Sequence, residues 1–376
     1  MDERAYWLAW SQVPGVGPVL LRRLQQRFQC LSVAWSADLQ ALQTVSGIGH
    51  QTLQAITAHR ARVDPLQVMA QHQQHNPQFW VPTDSDYPRL LLETADPPSV
   101  LYYQGQVQLL ENQGVTPTVA IVGTRDPSDY AKRWTRKIAY ALARKGFAIV
   151  SGMAEGIDTQ AHLGCLEAQG RTIAILGTGV DVVYPQRNQK LFETLLERGL
   201  VLSEYPAGTQ PNRVHFPRRN RIIAGLSRAV LVMEAPSKSG ALITAYLANE
   251  YARDVYVLPG SLDNPRATGC LGLVHRGAQL ILGIGQLLDL LGAMPALEQP
   301  QTPDADSQPS PVLSPELEQL FQAMRQLCHT SGQTSIPFDL IVQQMSQPAG
   351  NLSSGLMQLE LMGLVTQLPG MRYTLS

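Results

Sequence analysis

The chain has 376 residues, of which 44% are hydrophobic and 16% are charged, and its formal net charge at pH 7 is −1. These values are typical of a soluble globular protein, and the length predicts two or three domains. The start of the chain does not resemble a signal peptide, and no apolar run approaches the ~20 residues of a membrane span. A membrane protein is therefore excluded, and we expect a cytoplasmic one.

The four cysteines are widely separated and lack the spacing of a metal site. We expect them to be small buried side chains in a reducing compartment. They are Cys30, Cys165, Cys270 and Cys328.

Residues 1–80 predict a domain of short helices, because apolar residues such as Trp7 and Leu24 recur at helical spacing. The turns Pro14–Gly17 and Ser46–Gly49 both contain Gly-x-Gly and both precede an apolar helix. This pattern is similar to a helix-hairpin-helix (SAM-like) domain. Such turns offer backbone N–H groups to DNA phosphates, but little positive charge surrounds them. Structural packing is therefore favoured, and DNA contact stays open.

Residues 81–292 predict a doubly wound, mostly parallel α/β sheet. Segments rich in Val, Ile and Leu alternate with spans long enough for crossover helices, as in parallel strands that are covered on both faces. The predicted strands are Thr118–Val122, Ala148–Ser151, Thr172–Leu176, Val201–Ser203, Ala229–Met233, Val255–Leu258 and Leu280–Leu282.

The end of the chain predicts a linker and a small domain. Residues 293–315 contain six prolines and almost nothing to bury, which indicates a linker. Residues 316–376 predict three helices and a hairpin, an arrangement that resembles a winged helix. The third helix contains Glu360 but no Lys or Arg. A protein-contact or structural role is therefore favoured over direct DNA contact.

Two predicted strand–helix turns carry groups that suit an anion. Gly123 would let a ligand approach the backbone, Thr124 offers a hydroxyl, and Arg125 supplies a positive charge near a helix start. The turn at 237–240 places Lys238, Ser239 and Gly240 before another helix. This second turn fits either a phosphate nest or an ordinary helix cap.

One segment departs from the neutral balance of the chain. Between Tyr205 and Met233 there are five arginines and no Asp or Glu. Phe216 lies among these charges, three residues after Arg213. Guanidinium groups bind phosphate and stack on bases, so this cluster favours a polyanion with flat bases. Ile222 is expected to pack the following helix onto the sheet.

The sequence offers weaker indications of catalysis or of a cofactor. Ser151, Asp158 and His162 suggest a hydrolase, but no G-x-S-x-G elbow surrounds Ser151. A helix cap and a polar contact are the favoured roles of Asp158 and His162. Gly177 and Gly179 begin a dinucleotide fingerprint that lacks its third glycine. We therefore predict no catalytic residue, no metal and no cofactor.

Taken together, the middle motifs resemble those of the DNA-processing protein A (DprA, or Smf) family, in the family's order. The predicted helix-hairpin-helix start and winged-helix end resemble extended members of the family. The segments that carry the resemblance are Tyr87–Pro88, Asp96–Pro98, Val122–Arg125, Ser151–Asp158, Tyr184–Pro185, Phe216–Ser227, Ser239–Ala245 and Pro259–Gly260.

The resemblance implies an extended Rossmann fold that binds single-stranded DNA and forms a homodimer, without catalysis. It also implies a recombination mediator that protects incoming strands during natural transformation, in competent cells, and helps to load the RecA recombinase. With the nest included, the predicted DNA-binding residues are Gly123, Thr124, Arg125, Gly152, Arg213, Phe216, Arg218, Arg219, Asn220, Arg221, Lys238, Ser239 and Gly240.

Three positions depart from the family pattern. Thr124 replaces the commoner Ser and keeps its hydroxyl, while Arg213 replaces a frequent Lys and keeps its charge. Leu271 stands where Asn is frequent, near the expected dimer surface, so the details of dimerisation stay open.

The alternative is a nucleotide-processing enzyme of the nucleoside or phosphoribosyl hydrolase type. Similar sheets serve such enzymes, and Glu155, Asp158 or Glu234 would then act as an acid or base. No paired carboxylate or metal cluster stands out in the sequence, and the arginine cluster exceeds what one mononucleotide needs. A third interpretation is a protein scaffold that binds RecA independently of DNA.

Overall fold

The computed structural model describes residues 2–75, 78–292, 315–331, 336–345, 349–361, 365–368 and 372–375. The chain divides into two compact units, Met1–Pro300 and Gln301–Ser376. The predicted linker lies outside the described residues, except for Pro315, which begins a helix. The predicted domain boundary near residue 80 falls inside the first unit and stays a prediction.

The first unit begins with short helices, as the spacing of apolar residues predicts. Its core holds Trp7 and Trp10, and Trp35 packs edge-on against Trp10 with ring centroids 5.1 Å apart. The helices are α1 Glu3–Ser11, α2 Pro18–Phe28, α3 Leu31–Ser36, α4 Leu39–Gln43, α5 His50–Arg60 and α6 Pro65–His75.

A nine-stranded sheet follows, in the order β1-β2-β6-β5-β4-β3-β7-β8-β9. The strands from β6 to β9 in this order are mutually parallel, whereas β2 pairs with β6 in the antiparallel sense and β1 pairs with β2 likewise. The strands are β1 Phe79–Trp80, β2 Leu101–Gly105, β3 Thr118–Val122, β4 Ala148–Ser151, β5 Thr172–Leu176, β6 Leu200–Ser203, β7 Ala229–Val232, β8 Asp254–Val257 and β9 Gln279–Leu280.

Helices cover both faces of this sheet. Along β3, Val119 and Ile121 pack in one buried cluster, whereas Ala120 and Val122 pack in another on the opposite face. This alternation follows from the two-residue period of a strand. The helices are α7 Arg89–Leu92, α8 Leu109–Asn112, α9 Asp129–Arg144, α10 Ile157–Glu167, α11 Gln189–Arg198, α12 His215–Gly225, α13 Ala241–Glu250, α14 Thr268–Val274 and α15 Ile284–Gly292.

The second unit is a small helical domain with a three-stranded sheet in the order β10-β12-β11. Its core includes Leu320, Ile341, Leu356 and Tyr373. The elements are α16 Pro315–Ser331, β10 Ile336–Pro337, α17 Phe338–Met345, α18 Ala349–Leu361, β11 Val365–Leu368 and β12 Arg372–Leu375. Three helices and a hairpin were predicted, and β10 is an addition that pairs with β12.

The predicted fold class is confirmed: a doubly wound, mostly parallel α/β sheet lies between a helical start and a winged-helix end. The expectation for the cysteines holds in part. Cys165 and Cys270 are buried, but Cys30 is exposed at the residue preceding α3, and the side chain of Cys328 lies outside the described residues. Within the described ranges, no helix has the length and apolar character required to cross a bilayer.

Candidate nucleic-acid interface

The winding of the chain reverses beside β3. β4, β5 and β6 are added in succession on one side of β3, and the chain then returns to place β7 on the other side. In open α/β sheets, ligands bind beyond the carboxyl ends of the strands at such a switch point. The loops after β3, β4, β6 and β7, which carry the predicted site residues, therefore share the carboxyl end of the sheet.

A buried carboxylate connects the loops after β3 and β7 with the loop after β8. Glu234 follows β7, and its oxygens accept hydrogen bonds from the Ser128 amide at 2.7 Å and the Ser128 hydroxyl at 2.8 Å. The Asn264 side chain donates to the same carboxylate at 2.9 Å. The Glu234 carbonyl accepts from the Thr124 amide at 2.7 Å. The position of Arg125 is thus set by the turn after β7.

Phe216 lies in the first turn of α12, close to two other predicted or motif residues. The Arg125 guanidinium carbon lies 5.4 Å from the centre of the Phe216 ring. The Tyr184 ring centre lies 5.5 Å from the Phe216 ring centre, with the two planes at 32°. A side chain at Gly177 would approach this ring to 2.8 Å, so glycine is required there. These residues line a small pocket that reaches Gly152.

Four exposed cations lie in the loops at the carboxyl end of the sheet or in the first turn of α12. In the part of the chain that the structure describes, none of them makes a hydrogen bond or an ion pair. Unpaired guanidinium and ammonium groups keep their full capacity to bind phosphate. They are Arg125, Arg213, Arg218 and Lys238.

The predicted nest at 237–240 lies immediately before α13. The Ser239 hydroxyl accepts a hydrogen bond from the Ala241 amide at 3.2 Å, whereas the N-cap residue, Gly240, provides no side-chain cap. Asn220, one turn after Phe216 on α12, donates to the Gly240 carbonyl at 3.1 Å. Asn220 therefore ties α12 to the start of α13, which Lys238 precedes. The hydroxyl of Thr124 is likewise engaged locally, because it accepts from the Asp126 amide.

Arg219 lies inside the protein and not on its surface. Its side chain donates to the carbonyls of Gly152, at 2.7 Å, and Ile175, so it joins the ends of β4 and β5. Burial lowers the pKa of this guanidinium to about 10, and the charge of Asp158 opposes that shift. Burial also raises the pKa of Asp158, against the effect of Arg219.

Arg221 is engaged in ion pairs, unlike its exposed neighbour Arg218. It contacts Glu204 directly and Asp96 at 3.3 Å, and it donates to the Asp96 carbonyl at 2.7 Å. Arg219 and Arg221 therefore use their charged groups in contacts within the protein.

Two of the three glycines in the predicted site have packing reasons, whereas a side chain on Gly240 would meet no other atom within 4 Å. A side chain on Gly123 would collide with Ile157, and one on Gly152 would collide with the Arg219 guanidinium. The absence of a side chain at these positions is explained by close packing within the protein.

The residues of the enzyme alternative are all engaged. Glu155 pairs with Arg187. Ser151 and His162 are fully buried, and the Ser151 hydroxyl donates to the Ile121 carbonyl at 2.6 Å. Burial lowers the pKa of His162 to about 3, so its imidazole is neutral at pH 7. Within the described residues, no cluster of His, Cys, Asp and Glu is placed to hold a metal ion.

Sequence reasoning left two aromatic residues beside the predicted site out of it. Tyr184 belongs to a motif that carries the family resemblance, but its place beside Phe216 depends on the loop after β5. Tyr205 stacks on His215, with ring centres 4.0 Å apart. An aromatic residue after each of two neighbouring strands was the available signal.

The fold and the site define a Rossmann-like binding protein with cations around an aromatic pair and an appended winged helix. The family profile described as DNA recombination-mediator protein A matches residues 78–292, and the profile described as DprA winged helix domain matches residues 302–371. A curated relative, protein Smf of Synechocystis, is 51% identical over 99% of this chain and 98% of its own length. Protein Smf of Escherichia coli is 37% identical over 77% of this chain and 75% of its own length.

Two solved structures are also similar. The X-ray structure of DNA processing protein A from Streptococcus pneumoniae has 34% identity and a TM-score of 0.67, and the match covers 77% of this chain and 98% of that one. A structure from Helicobacter pylori, described as showing a single-stranded DNA binding mode of DNA processing protein A, has 34% identity and a TM-score of 0.52, and the match covers 57% and 96%.

The chain belongs to the DNA-processing protein A (DprA/Smf) family, which confirms the resemblance. Its role is accordingly in DNA processing related to recombination.

Proposed function

We propose that this protein is a recombination mediator that binds single-stranded DNA. The observation that carries the proposal is the Arg125–Phe216–Tyr184 arrangement, with unpaired Arg213, Arg218 and Lys238 around it. The cations would bind phosphates, and Phe216 would stack on a base, which contributes about 1–3 kcal/mol. Such binding depends on charge and ring contact and not on base identity, so it would tolerate any sequence. The Helicobacter relative, described as binding single-stranded DNA, supports this proposal.

The geometry refines the list of contacts in this proposal. Arg125, Arg213, Phe216, Arg218 and Lys238 would touch DNA, since their groups are exposed or half-exposed and the cations are unpaired. The remaining predicted residues would shape the surface instead. These are Gly123, Thr124, Gly152, Arg219, Asn220, Arg221, Ser239 and Gly240.

The test is a salt titration of binding to oligo-dT. Replacing Arg125 with Ala removes one phosphate contact and the cation above Phe216, so we expect affinity to fall about tenfold or more. The slope of log K against log salt should become shallower by about 0.7. Arg144→Ala is the matched control, because Arg144 is an exposed arginine in the last turn of α9, at the opposite end of the sheet. Equal affinity in wild type and Arg125→Ala would refute the phosphate role.

We also propose that binding occurs without chemical catalysis or a cofactor. The support is that Glu155, Asp158 and Glu234 are engaged within the protein. Oligonucleotide recovered from the titration should be intact. Turnover of nucleoside monophosphates that is lost in Glu155→Gln would favour the enzyme alternative instead.

We propose RecA as the protein partner, with strand protection and RecA loading during natural transformation as the cellular role. The support is the family description as a recombination mediator. Immobilised Arg125→Ala protein should still retain RecA after nuclease treatment, because the cation site would be separate from the protein contact. Failure of wild type to retain RecA with or without DNA would contradict this part.

We further propose that the protein is a homodimer and that it is located in the cytoplasm.

A further inference from the structure

A large cleft lies between the first Gly-x-Gly turn, which connects α1 and α2, and the residues that follow β6. Its volume is about 1070 Å³, and both lie within the first compact unit. On one wall are Gly15–Leu21, which form the first Gly-x-Gly turn and the start of α2. Gly47, from the second turn, also lines the cleft, and so does Arg23. Tyr205 and Arg218, from the segment after β6 and from α12, line it as well.

The start of α2 presents unused hydrogen-bond donors. Its N-cap is Gly17 and its first residue is Pro18, so no side chain caps the helix. The first helical bond runs from the Leu21 amide to the Gly17 carbonyl, and the described residues provide no acceptor for the amides of Val19 and Leu20. Free amides at a helix N-terminus favour a bound anion.

Buried polar atoms at the cleft provide a second, independent observation. Ser99 and His72 line it with only 6% and 7% of their surfaces exposed. Ser99 Oγ and His72 Nε2 have no partner among the described residues, and neither has the hydroxyl of Tyr205. Buried polar groups are normally satisfied, so unpaired atoms around one cavity point to a polar occupant.

The charges at the cleft favour an anionic occupant. Its two carboxylates, Asp96 and Glu204, are both paired with Arg221. Arg218 is exposed and unpaired, and Arg23 donates to the Ser46 carbonyl at 2.8 Å while its other donors stay available. Gly47 permits this contact, because a side chain there would come within 2.9 Å of the Arg23 guanidinium.

The cleft also continues the surface around Phe216. Arg218 lies two residues beyond Phe216 on α12, and it lines the cleft while Phe216 lines the pocket beside Arg125. His215, next to Phe216 in the chain, stacks on Tyr205, which also lines the cleft. A chain of phosphates that crosses the first turn of α12 would therefore reach both surfaces.

We propose that this cleft binds the continuation of the single strand, with a phosphate on the free amides of α2 and Arg218 and Arg23 as countercharges. The inference rests on the proposed single-strand binding at Phe216. It gives the first Gly-x-Gly turn a role as a DNA contact and makes the helical region part of the binding path.

Val19→Glu tests the proposal. Val19 is 42% exposed in the first turn of α2, where a carboxylate is compatible with the helix but repels a phosphate. A long oligo-dT that spans both surfaces should bind about two- to fivefold more weakly, with a salt slope about 0.7 shallower. A short oligo-dT of roughly 6 nucleotides, which reaches only the Phe216 surface, should bind as it does to wild type.

Two variants control for size and charge. Val19→Gln changes the side chain without adding charge and should bind the long oligonucleotide nearly as wild type does. Leu39→Glu adds the same charge to the first turn of α4 at a residue that is 44% exposed, and Leu39 does not line the cleft. If Leu39→Glu weakens binding of the long oligo-dT to the same degree as Val19→Glu, the effect comes from overall charge and the cleft proposal is wrong.

The two oligonucleotide lengths separate the possible failures. If short oligo-dT binds in an Arg125-dependent way and Val19→Glu binds the long one normally, the cleft proposal is wrong and the proposed function stands. If Arg125→Ala leaves short-oligonucleotide binding unchanged, the proposed function fails first.

Crosslinking of the wild-type protein provides a test that needs no variant. A long oligo-dT with 4-thiothymidine at every position should crosslink to the peptide that contains residues 15–23. Crosslinks confined to the loops after β3, β6 and β7 would refute the cleft.

Discussion

At the scale of single residues, three nearby arginines on α12 have three different roles. Arg218 is exposed and unpaired, Arg219 is buried on backbone carbonyls, and Arg221 is paired with Asp96 and Glu204. Successive positions on a helix point about 100° apart, so neighbours in sequence face solvent, the sheet or another element. The number of arginines in a stretch of sequence therefore overstates the number that are available on the surface.

Arg219 should matter for folding more than for direct contact. We expect Arg219→Met to lower the free energy of unfolding by about 3 kcal/mol or more, because the carbonyls of Gly152 and Ile175 lose their donor and buried Asp158 loses its nearby charge. Urea denaturation at pH 7 measures this loss.

The neighbouring arginine provides the control. Arg218→Met removes the same charge at an exposed, unpaired position and should change the unfolding free energy by less than about 0.5 kcal/mol. Equal losses in the two variants would show that Arg219 has no special structural role.

At the scale of elements, the strands were predicted where burial on both faces leaves a continuous apolar run. β3, β4 and β5 match their predicted bounds, and β6, β7 and β8 differ from theirs at the ends. β9 shares only Leu280 with its prediction. β1 and β2 were missed because β1 has two residues and β2, Leu101–Gly105, is buried only at its start.

The candidate site was predictable only as far as local pattern allows. The strand-end position of Arg125 and the helix start near Lys238 follow from the apolar runs that precede them. The pairing of Arg221 was not predictable, because Asp96 lies 125 residues earlier in the chain. Nor was the cleft, since it requires the packing of α2 near β6.

At the scale of the whole molecule, the sheet ends at β9, which pairs only with β8 among the described strands. In the loops after β8 and β9, Leu262 and Leu282 are 84% and 75% exposed. An open edge with large exposed apolar side chains is a liability unless another chain covers it. A second copy of this chain is the occupant that the proposed homodimer requires.

This edge gives the proposed homodimer a test. The double variant Leu262→Glu, Leu282→Glu places charges where apolar contact is needed, so the dissociation constant of the dimer should rise about tenfold or more. Sedimentation equilibrium over a concentration series measures it. Leu66→Glu, at an exposed position of α6 in the helical region, is the single-site control and should leave the dimer intact. A wild-type protein that stays monomeric throughout the series would reject the homodimer. A double variant that dimerises as wild type does would reject only this edge, and the interface would then lie on another surface.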